Sequence, residues 1–323
     1  MWIEGGVTMA SSEVTGTRRA FLRGAAGLAL TGAYVGSGVK RRRVIDTHTH
    51  FYDIGRPQGV PWPPKTEPIL YRTHLVPEFR QLTTGLGVVG TVVVEASPWV
   101  EDNQWVLDLA KEDPFIVGFV GNLEVGQPEF AGNLRRFARN RLFRGIRRGE
   151  RSLVAGEGSV RFKDDLRRVA SAGLTLDVVG SAAMLGAVER IAREIPSLRI
   201  IIDHLPFEGW DGDVEAMRRG LGPLAGRPNI YLKVSNVVRR RGGVAVTDPA
   251  AYRAGLDVLW ELFGEWRLIY GSNWPVSNRV AEYDQLFRIV ADYFGSKGDQ
   301  VAERYFYGNS RRFYRWIERG VGR

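Results

Sequence analysis

Two histidines stand two residues apart at the end of a short apolar run, in the segment Asp46-Thr47-His48-Thr49-His50, and the whole chain has only four histidines. Side chains two apart on a β-strand project to the same side, so Asp46, His48 and His50 are predicted to converge. Two imidazoles placed in this way can bind one divalent cation or orient one polarised carbonyl oxygen. The segment therefore predicts a site for chemistry. The alternative is an edge strand that merely ends in polar residues.

The composition is that of a globular enzyme. Of the 323 residues, 44% are hydrophobic and 25% are charged, and no apolar run is long enough to cross a bilayer. The absence of cysteine excludes disulfides, thiolate catalysis and thiolate metal sites. The formal net charge is +9, but residues 1–43 hold seven Lys/Arg against two Glu, which leaves 38 basic and 34 acidic residues for the rest. An excess this small argues against nucleic acid as a partner.

Residues 1–43 predict an export signal. The pair Arg18-Arg19 precedes Phe21-Leu22 and a weakly apolar stretch over residues 24–35, a pattern that resembles a bacterial twin-arginine signal. We expect export by that route to the periplasm or cell envelope, with membrane contact only through an uncleaved signal. The alternative is an amphipathic first helix, which three glycines disfavour: Gly24, Gly27 and Gly32.

From residue 44 onward, apolar β-branched runs alternate with stretches of helical spacing. The runs are Val44–Ile45, Val88–Val94, Ile116–Val120, Leu142–Ile146, Leu174–Val179, Leu198–Ile202, Ile230–Val234 and Leu268–Tyr270. The helical stretches include Asp102–Lys111, Phe162–Ala172, Ala182–Glu194 and Tyr252–Phe263. This alternation predicts an α/β fold, a single (β/α)8 TIM barrel over residues 44–323. A C-terminal helix from Val301 to Glu318 completes it, with four aromatic packing residues: Tyr305, Phe306, Phe313 and Trp316.

Polar side chains follow nearly every predicted strand. Because the active site of such a barrel forms at the carboxyl ends of its strands, these residues are predicted to share one pocket. Three of the four histidines are among them. In strand order they are His48 and His50; Glu95; Asn122 and Glu124; Arg147 and Arg148; Asp177; Asp203 and His204; Lys233 and Ser235; Ser272 and Asn273.

Several short motifs in this order resemble one protein family. They are Asp-Thr-His-Thr-His-Phe at 46–51, Arg-Gly-Ile-Arg at 144–147, Asp-His at 203–204, Leu-Lys-Val-Ser at 232–235, Tyr-Gly-Ser-Asn-Trp-Pro-Val at 270–276 and the closing segment 307–314. Together they resemble the amidohydrolase-related family of the amidohydrolase superfamily, and most of all its sugar-lactone and pyrone-dicarboxylate lactonase branch. The resemblance covers roughly residues 44–316 and implies the barrel fold and a hydrolytic activity.

The resemblance also implies roles for individual residues. His48 and His50 correspond to a pair that binds one divalent ion, zinc or manganese here, or that hydrogen-bonds the substrate carbonyl in metal-free lactonases. His204 corresponds to a histidine that polarises the scissile carbonyl or contacts the attacking water. Arg147 corresponds to an arginine that binds a substrate carboxylate or hydroxyl, a task suited to its planar donor fork.

Asn273 departs from the family pattern, which has Gly-Ser-Asp-Trp-Pro-Val after the eighth strand. The usual aspartate ligates metal and accepts a proton from water, whereas an amide cannot act as a general base near neutrality. One alternative is that another carboxylate takes the proton, with Glu95, Asp177 and Asp203 as candidates. The others are that the reaction needs no base at this strand, or that the chain binds its ligand without catalysis.

Glu95 is the preferred substitute base, because it directly follows an apolar strand where burial tends to raise the pKa of a carboxyl group. It is also a candidate third metal ligand beside His48 and His50. The alternative is an ion pair with Lys233 or Arg147.

Three further residues are candidates for substrate contact. Lys233 could supply positive charge to a substrate carboxylate, or it could be an inward lysine paired with Glu95 or Asp177. His74 could contact the substrate or pack within its loop. Trp274 is expected at the mouth of the barrel, where its ring could pack against a sugar.

These features favour an exported hydrolase in which water attacks the lactone or ester carbonyl of a sugar acid or a carboxylated small molecule, with an anionic substrate expected. Two alternatives stay open. One is decarboxylase-type C–C cleavage on the same fold, which the absence of the strand-eight aspartate and of a strand-five histidine disfavours. The other is a non-catalytic exported protein that binds a sugar or an organic acid. The sequence leaves open whether the chain forms a homo-oligomer.

Overall fold

The computed structural model describes residues 42–204 and 213–319. The export signal predicted for residues 1–43 therefore lies outside the described residues, apart from its last two. No helix in the described ranges is long and apolar enough to span a membrane.

Eight parallel strands form one sheet in chain order, and each matches a strand predicted from the sequence. They are β1 (Val44–Thr49), β2 (Val88–Val94), β3 (Ile116–Gly121), β4 (Phe143–Gly149), β5 (Thr175–Val179), β6 (Arg199–Ile202), β7 (Ile230–Val234) and β10 (Leu268–Tyr270). A small antiparallel hairpin, β8 (Arg240–Arg241) and β9 (Val244–Ala245), follows β7. The sheet curls until β1 meets the segment after β10 at a parallel bridge between Thr49 and Trp274. The result is the nearly closed α/β barrel that the alternating pattern predicts.

Helices connect the strands, and the four predicted from helical spacing are confirmed as α2, α5, α6 and α8. The helices are α1 (Val76–Leu82), α2 (Asp102–Glu112), α3 (Phe130–Ala138), α4 (Glu150–Gly156), α5 (Val160–Ser171), α6 (Leu185–Glu194), α7 (Val214–Ala225), α8 (Arg253–Phe263), α9 (Tyr283–Ser296), α10 (Asp299–Glu303) and α11 (Asn309–Tyr314). The strands are buried on both faces, because one face meets these helices and the other fills the barrel interior.

The C-terminal helix differs in detail from its prediction. It begins at Asp299, widens to a π-helical turn over Arg304–Gly308, and ends at Tyr314 rather than Glu318. It ends there because Arg315 adopts the left-handed conformation, with φ of 52°. The aromatic residue predicted beyond this point, Trp316, is nevertheless buried like the other three.

The junction between the first and eighth barrel strands depends on a buried carboxylate. One oxygen of Asp46 accepts hydrogen bonds from the backbone N–H groups of His48 (3.0 Å) and Ser272 (2.9 Å), and the other accepts one from the Tyr283 hydroxyl (3.0 Å). Burial raises the pKa of Asp46 to about 6, although these hydrogen bonds oppose the shift. Asp46 thus links β1 to the end of β10. Both of its carboxylate oxygens are used in these structural hydrogen bonds and do not contact a ligand.

Two backbone hydrogen bonds complete the junction. The N–H of Asn273 donates to the carbonyl of His48 (2.9 Å), and the N–H of His50 donates to the carbonyl of Trp274 (2.8 Å). The two predicted site segments, one from each end of the barrel sequence, are therefore fixed side by side.

We expect Asp46→Ala to lower the free energy of unfolding by about 2–5 kcal/mol, because two buried backbone N–H groups lose their acceptor. Asp46→Asn keeps one oxygen for both groups and should cost about 1 kcal/mol or less. Urea denaturation of the two variants measures this difference. If both variants unfold like the original protein, the carboxylate does not hold the junction.

Candidate active site

A cavity of about 660 Å³ opens among the residues that follow the barrel strands. The side chains brought together here include two of the predicted histidines and residues from five other strand ends. Its polar and aromatic lining comprises His50, Trp62, Glu95, Ser97, Asn122, Glu124, Arg147, Arg148, His204, Asn236, Asn273 and Arg279. His48 lies immediately behind this wall, with ring centroids 4.9 Å from His50 and 4.4 Å from His204. Histidines from the first and sixth strands therefore meet, as predicted.

Lys233 lies behind the histidines in a wholly buried ionic group. Its ammonium nitrogen is 2.7 Å from Asp203 Oδ1, 3.0 Å from Asp177 Oδ2 and 3.3 Å from His48 Nδ1. Burial by itself would lower the pKa of Lys233, but the two aspartates more than offset this and raise it, so the side chain is an ammonium ion. The expected contact between Lys233 and substrate is wrong, since the side chain does not line the cavity. It is an inward lysine whose partners are Asp177, as anticipated, and Asp203 instead of Glu95.

Asp177 is also held in this group and is unsuited to be the catalytic base. It accepts hydrogen bonds from Lys233 and from the Tyr314 hydroxyl (2.6 Å), and it is completely buried. Burial raises the pKa of Asp177 to about 6, and Lys233 opposes that rise. The prediction of a catalytic Asp177 is wrong because the carboxylate does not face the cavity. Tyr314 was missed, since only the closing motif of the sequence marked its segment.

His50 and Asn273 face each other at the cavity wall. His50 Nδ1 lies 3.0 Å from the carbonyl oxygen of Val94, which can only accept, so Nδ1 carries the ring proton and Nε2 carries the lone pair. Nε2 lies 3.2 Å from the amide oxygen of Asn273. An amide can be assigned in either orientation, and with its N–H group toward Nε2 it donates to that lone pair. An asparagine can donate here, whereas an ionised aspartate cannot.

All three histidines of the site are neutral near pH 7. Burial and then the charge of Arg147 lower the pKa of His50 to about 3. Burial is likewise the main cause that lowers the pKa of His48 and of His204 well below the ordinary value. His204 Nδ1 is 2.8 Å from the hydroxyl of Ser235, which fixes the ring orientation. Neutral imidazoles act as hydrogen-bond donors or acceptors and add no charge to the site.

Left-handed backbone turns direct the side chains at three strand ends. His204, Asn236 and Asn273 have φ values of 60°, 53° and 68°. Asparagine, aspartate and histidine are the residues other than glycine that adopt this conformation most readily. An aspartate would therefore suit the backbone at position 273 equally well, and the choice of amide concerns chemistry.

Glu95 and Arg147 form an ion pair on the cavity wall. Arg147 Nε donates to Glu95 Oε1 at 2.8 Å, and Arg147 Nη2 donates to the Glu95 carbonyl at 2.9 Å. Their side chains are 16% and 17% exposed, so both remain accessible to a ligand. Among the described residues, the second carboxylate oxygen of Glu95 has no hydrogen-bond donor. Glu95 is thus the one candidate base of the three that faces the cavity.

The residues present do not fit a divalent cation well. No group of three or more His, Cys, Asp or Glu in the described ranges is arranged to hold a metal ion. One oxygen of Glu95, the predicted third ligand, accepts from Arg147, whose positive charge opposes a cation there, and His48 Nδ1 faces the ammonium of Lys233. Of the three predicted ligands, only His50 directs a nitrogen lone pair at the cavity without a cationic side chain bound to it, and one such ligand is fewer than zinc sites require.

Two predicted substrate contacts lie away from the cavity. Trp274 is fully buried, and its ring packs against those of Phe79 (5.1 Å) and His74 (5.0 Å), so its expected position at the mouth is wrong. His74 is buried too, and its Nδ1 is 2.9 Å from Glu78 Oε2, which makes it a loop-packing residue. The aromatic ring that does line the cavity is Trp62, 6.0 Å from the His50 ring.

Comparison with known families and sequences gives a consistent match. The family model described as "Amidohydrolase" matches residues 45–316. The chain is 30% identical over 289 residues to an L-fucono-1,5-lactonase of Burkholderia ambifaria, an alignment that covers 86% of this chain and 97% of that protein.

Solved structures share the fold. An amidohydrolase from Burkholderia multivorans, solved with bound zinc, aligns with a TM-score of 0.76 at 22% identity over 85% of this chain and all of that one. A putative 2-pyrone-4,6-dicarboxylic acid hydrolase from Pseudomonas putida aligns with a TM-score of 0.67 at 19% identity, covering 84% and 97% of the two chains. At these identities the likeness extends to the barrel architecture.

Replacing Asn273 by aspartate tests the electrostatics of this wall. We expect Asn273→Asp to raise the pKa of His50 from about 3 by roughly 1–3 units, because a carboxylate would lie about 3.2 Å from Nε2 and favour the imidazolium. Histidine NMR titration of the variant measures the shift. A His50 pKa that stays near 3 would mean that the two side chains do not face each other.

Proposed function

The chain belongs to the amidohydrolase family, as its motifs predicted, and from this premise we propose that it hydrolyses the ring ester of a neutral sugar lactone to the free sugar acid. The observation that carries the proposal is the cavity itself, where neutral imidazoles meet the Glu95–Arg147 pair. The relationship to a protein named as an L-fucono-1,5-lactonase, which spans nearly all of that relative, supports the same reaction.

The proposed reaction uses residues of the cavity wall for each proton and charge. The water oxygen bonds to the lactone carbonyl carbon, while the free oxygen of Glu95 accepts a proton from that water. Arg147 donates hydrogen bonds to the carbonyl oxygen as it gains negative charge. The ring C–O bond then breaks, and the alkoxide takes up the proton to become a hydroxyl group.

The pairing of Arg147 and Arg148 favours a neutral substrate over the anionic one expected from the sequence. Arg147 is paired with Glu95, and Arg148 is paired with Glu124 and donates to Asn122 Oδ1 at 2.9 Å. A substrate carboxylate would have to displace a protein carboxylate from either arginine. The hydroxyl groups of a sugar lactone can instead share these charged partners.

We propose that catalysis here needs no resident metal ion, although members of the superfamily usually bind one. If a cation were held, His50 and Asn273 would be its ligands and it would polarise the substrate carbonyl. The two neutral donors and the nearby ammonium of Lys233 make that site a weak one.

Export by the twin-arginine route stays a proposal, supported by Arg18-Arg19 and the weakly apolar residues after it. Fusion of residues 1–43 to a reporter that is active only after export would test it, with Arg18→Lys/Arg19→Lys as the control.

A panel of lactones tests the proposed reaction directly. Protein dialysed against a chelator should open L-fucono-1,5-lactone and other sugar lactones above the spontaneous rate, and it should prefer them at least about 10-fold in kcat/KM over 2-pyrone-4,6-dicarboxylate. Product formation can be followed with a pH indicator. A preference for the dicarboxylate would contradict the charge argument, and activity that requires added zinc would contradict the metal-free mechanism. If no lactone opens but sugar acids raise the melting temperature, the chain is a binding protein.

A second experiment tests the role of Glu95. We expect Glu95→Gln to lower kcat by about 10²–10⁴-fold, because the amide still accepts from Arg147 but cannot take a proton. The matched variant Glu124→Gln alters the other carboxylate–arginine pair of the wall and should change KM more than kcat. Equal effects of the two variants on kcat would remove Glu95 as the base.

A further inference from the structure

The buried ammonium of Lys233 determines where its three neighbours carry protons. An ammonium group has three hydrogens and no lone pair, so every close neighbour must accept from it. Its neighbours are Asp203 Oδ1, Asp177 Oδ2 and His48 Nδ1, at 2.7, 3.0 and 3.3 Å. His48 Nδ1 must therefore present its lone pair to Lys233.

The second nitrogen of His48 consequently carries the ring proton, because a neutral imidazole has one N–H group. This Nε2 is buried, and no described residue hydrogen-bonds to it. A buried N–H group without an acceptor is costly for a folded protein. The adjacent rings of His50 and His204 both line the cavity, so the unpaired N–H lies immediately behind the surface that would receive a carbonyl oxygen.

Lys233 determines which of the two ring nitrogens of His48 carries the proton. His48 Nδ1 is 3.6 Å from Asp203 Oδ1, a carboxylate oxygen that would draw a proton onto Nδ1 if the ammonium were absent. With the proton on Nδ1, Nε2 would become an acceptor and could not stabilise negative charge on a substrate.

We propose that Lys233 is a positioning residue that holds His48 with its proton on Nε2, so that this N–H dipole, directly behind His50 and His204, stabilises the negative charge that develops on the lactone carbonyl oxygen in the transition state. The kinetic part of this inference rests on the proposed lactonase function, whereas the position of the proton does not. Lys233 itself is fully buried and does not line the cavity.

Chemical replacement of the lysine side chain tests the proposal. The chain has no cysteine, so Lys233→Cys introduces a single thiol that can be alkylated in the unfolded protein before refolding. An aminoethyl group restores an ammonium at nearly the original length, and an S-propyl group of the same length supplies a methyl instead. We expect the propylated protein to lose about 100-fold in kcat with KM changed less than about threefold, since the N–H dipole directed at the developing oxyanion is reversed. The aminoethylated protein should recover kcat to within about 10-fold of the original.

Nitrogen NMR of protein labelled with 15N-histidine reports the proton positions without any substrate. The signals of His48 are identified by their loss in His48→Gln. We expect a protonated Nε2 in the original and aminoethylated proteins, and a shift of the proton to Nδ1 in the propylated one.

A His48 proton on Nδ1 in the original protein overturns the inference, and this spectrum suffices even if the propylated protein fails to refold. An unchanged kcat after propylation, with lactones still hydrolysed, overturns the kinetic role. If the proton lies on Nε2 as expected but the original protein opens no lactone, the assignment of Lys233 stands and the proposed function fails.

Discussion

The geometry of the whole site depends on the contacts between one buried ammonium group and the acceptors around it. Lys233 from β7 meets Asp177 from β5, Asp203 after β6 and His48 from β1, and the hydroxyl of Tyr314 adds a link to the last helix. Charges removed from water in this way are tolerated when they are paired with opposite charges. The group therefore fixes the relative positions of four strand ends, and it fixes the proton position on the histidine that lies just behind the cavity.

A second layer of polar residues lies above this group and faces the cavity. Here burial keeps the imidazoles neutral, and the ion pair of Glu95 with Arg147 provides the accessible carboxylate. The N–H group of the Asn273 amide complements the lone pair of His50 Nε2. The more usual aspartate would be repelled by that lone pair or would favour protonation of His50. The substitution that first suggested lost catalysis is thus consistent with a site built around neutral donors. In the proposed mechanism the base is Glu95, which follows a different strand.

Much of this arrangement could be predicted from the sequence, because strand positions follow from apolar runs and because active residues of a barrel follow its strands. The eight strands, the meeting of His48 with His204 and the accessible Glu95 were all reached in this way. How deeply each side chain lies within the barrel could not be predicted from the sequence. Trp274 and Lys233 also follow strand patterns, yet both are fully buried, because the left-handed turn at Asn273 carries the tryptophan into the core and the lysine has two acidic partners below the cavity. The contribution of Tyr314 depends on a contact between residues 137 positions apart, which no local pattern encodes.

The most direct test of a metal-free site based on neutral imidazole donors is a crystal structure with a slowly hydrolysed lactam analogue of a sugar lactone, grown with zinc present. We expect the lactam carbonyl oxygen to lie against the wall formed by His50 and His204 and within about 3 Å of Arg147, with no ion bound there. A zinc ion bound by His48 and His50, with the carbonyl directed at the metal, would contradict the account at its centre.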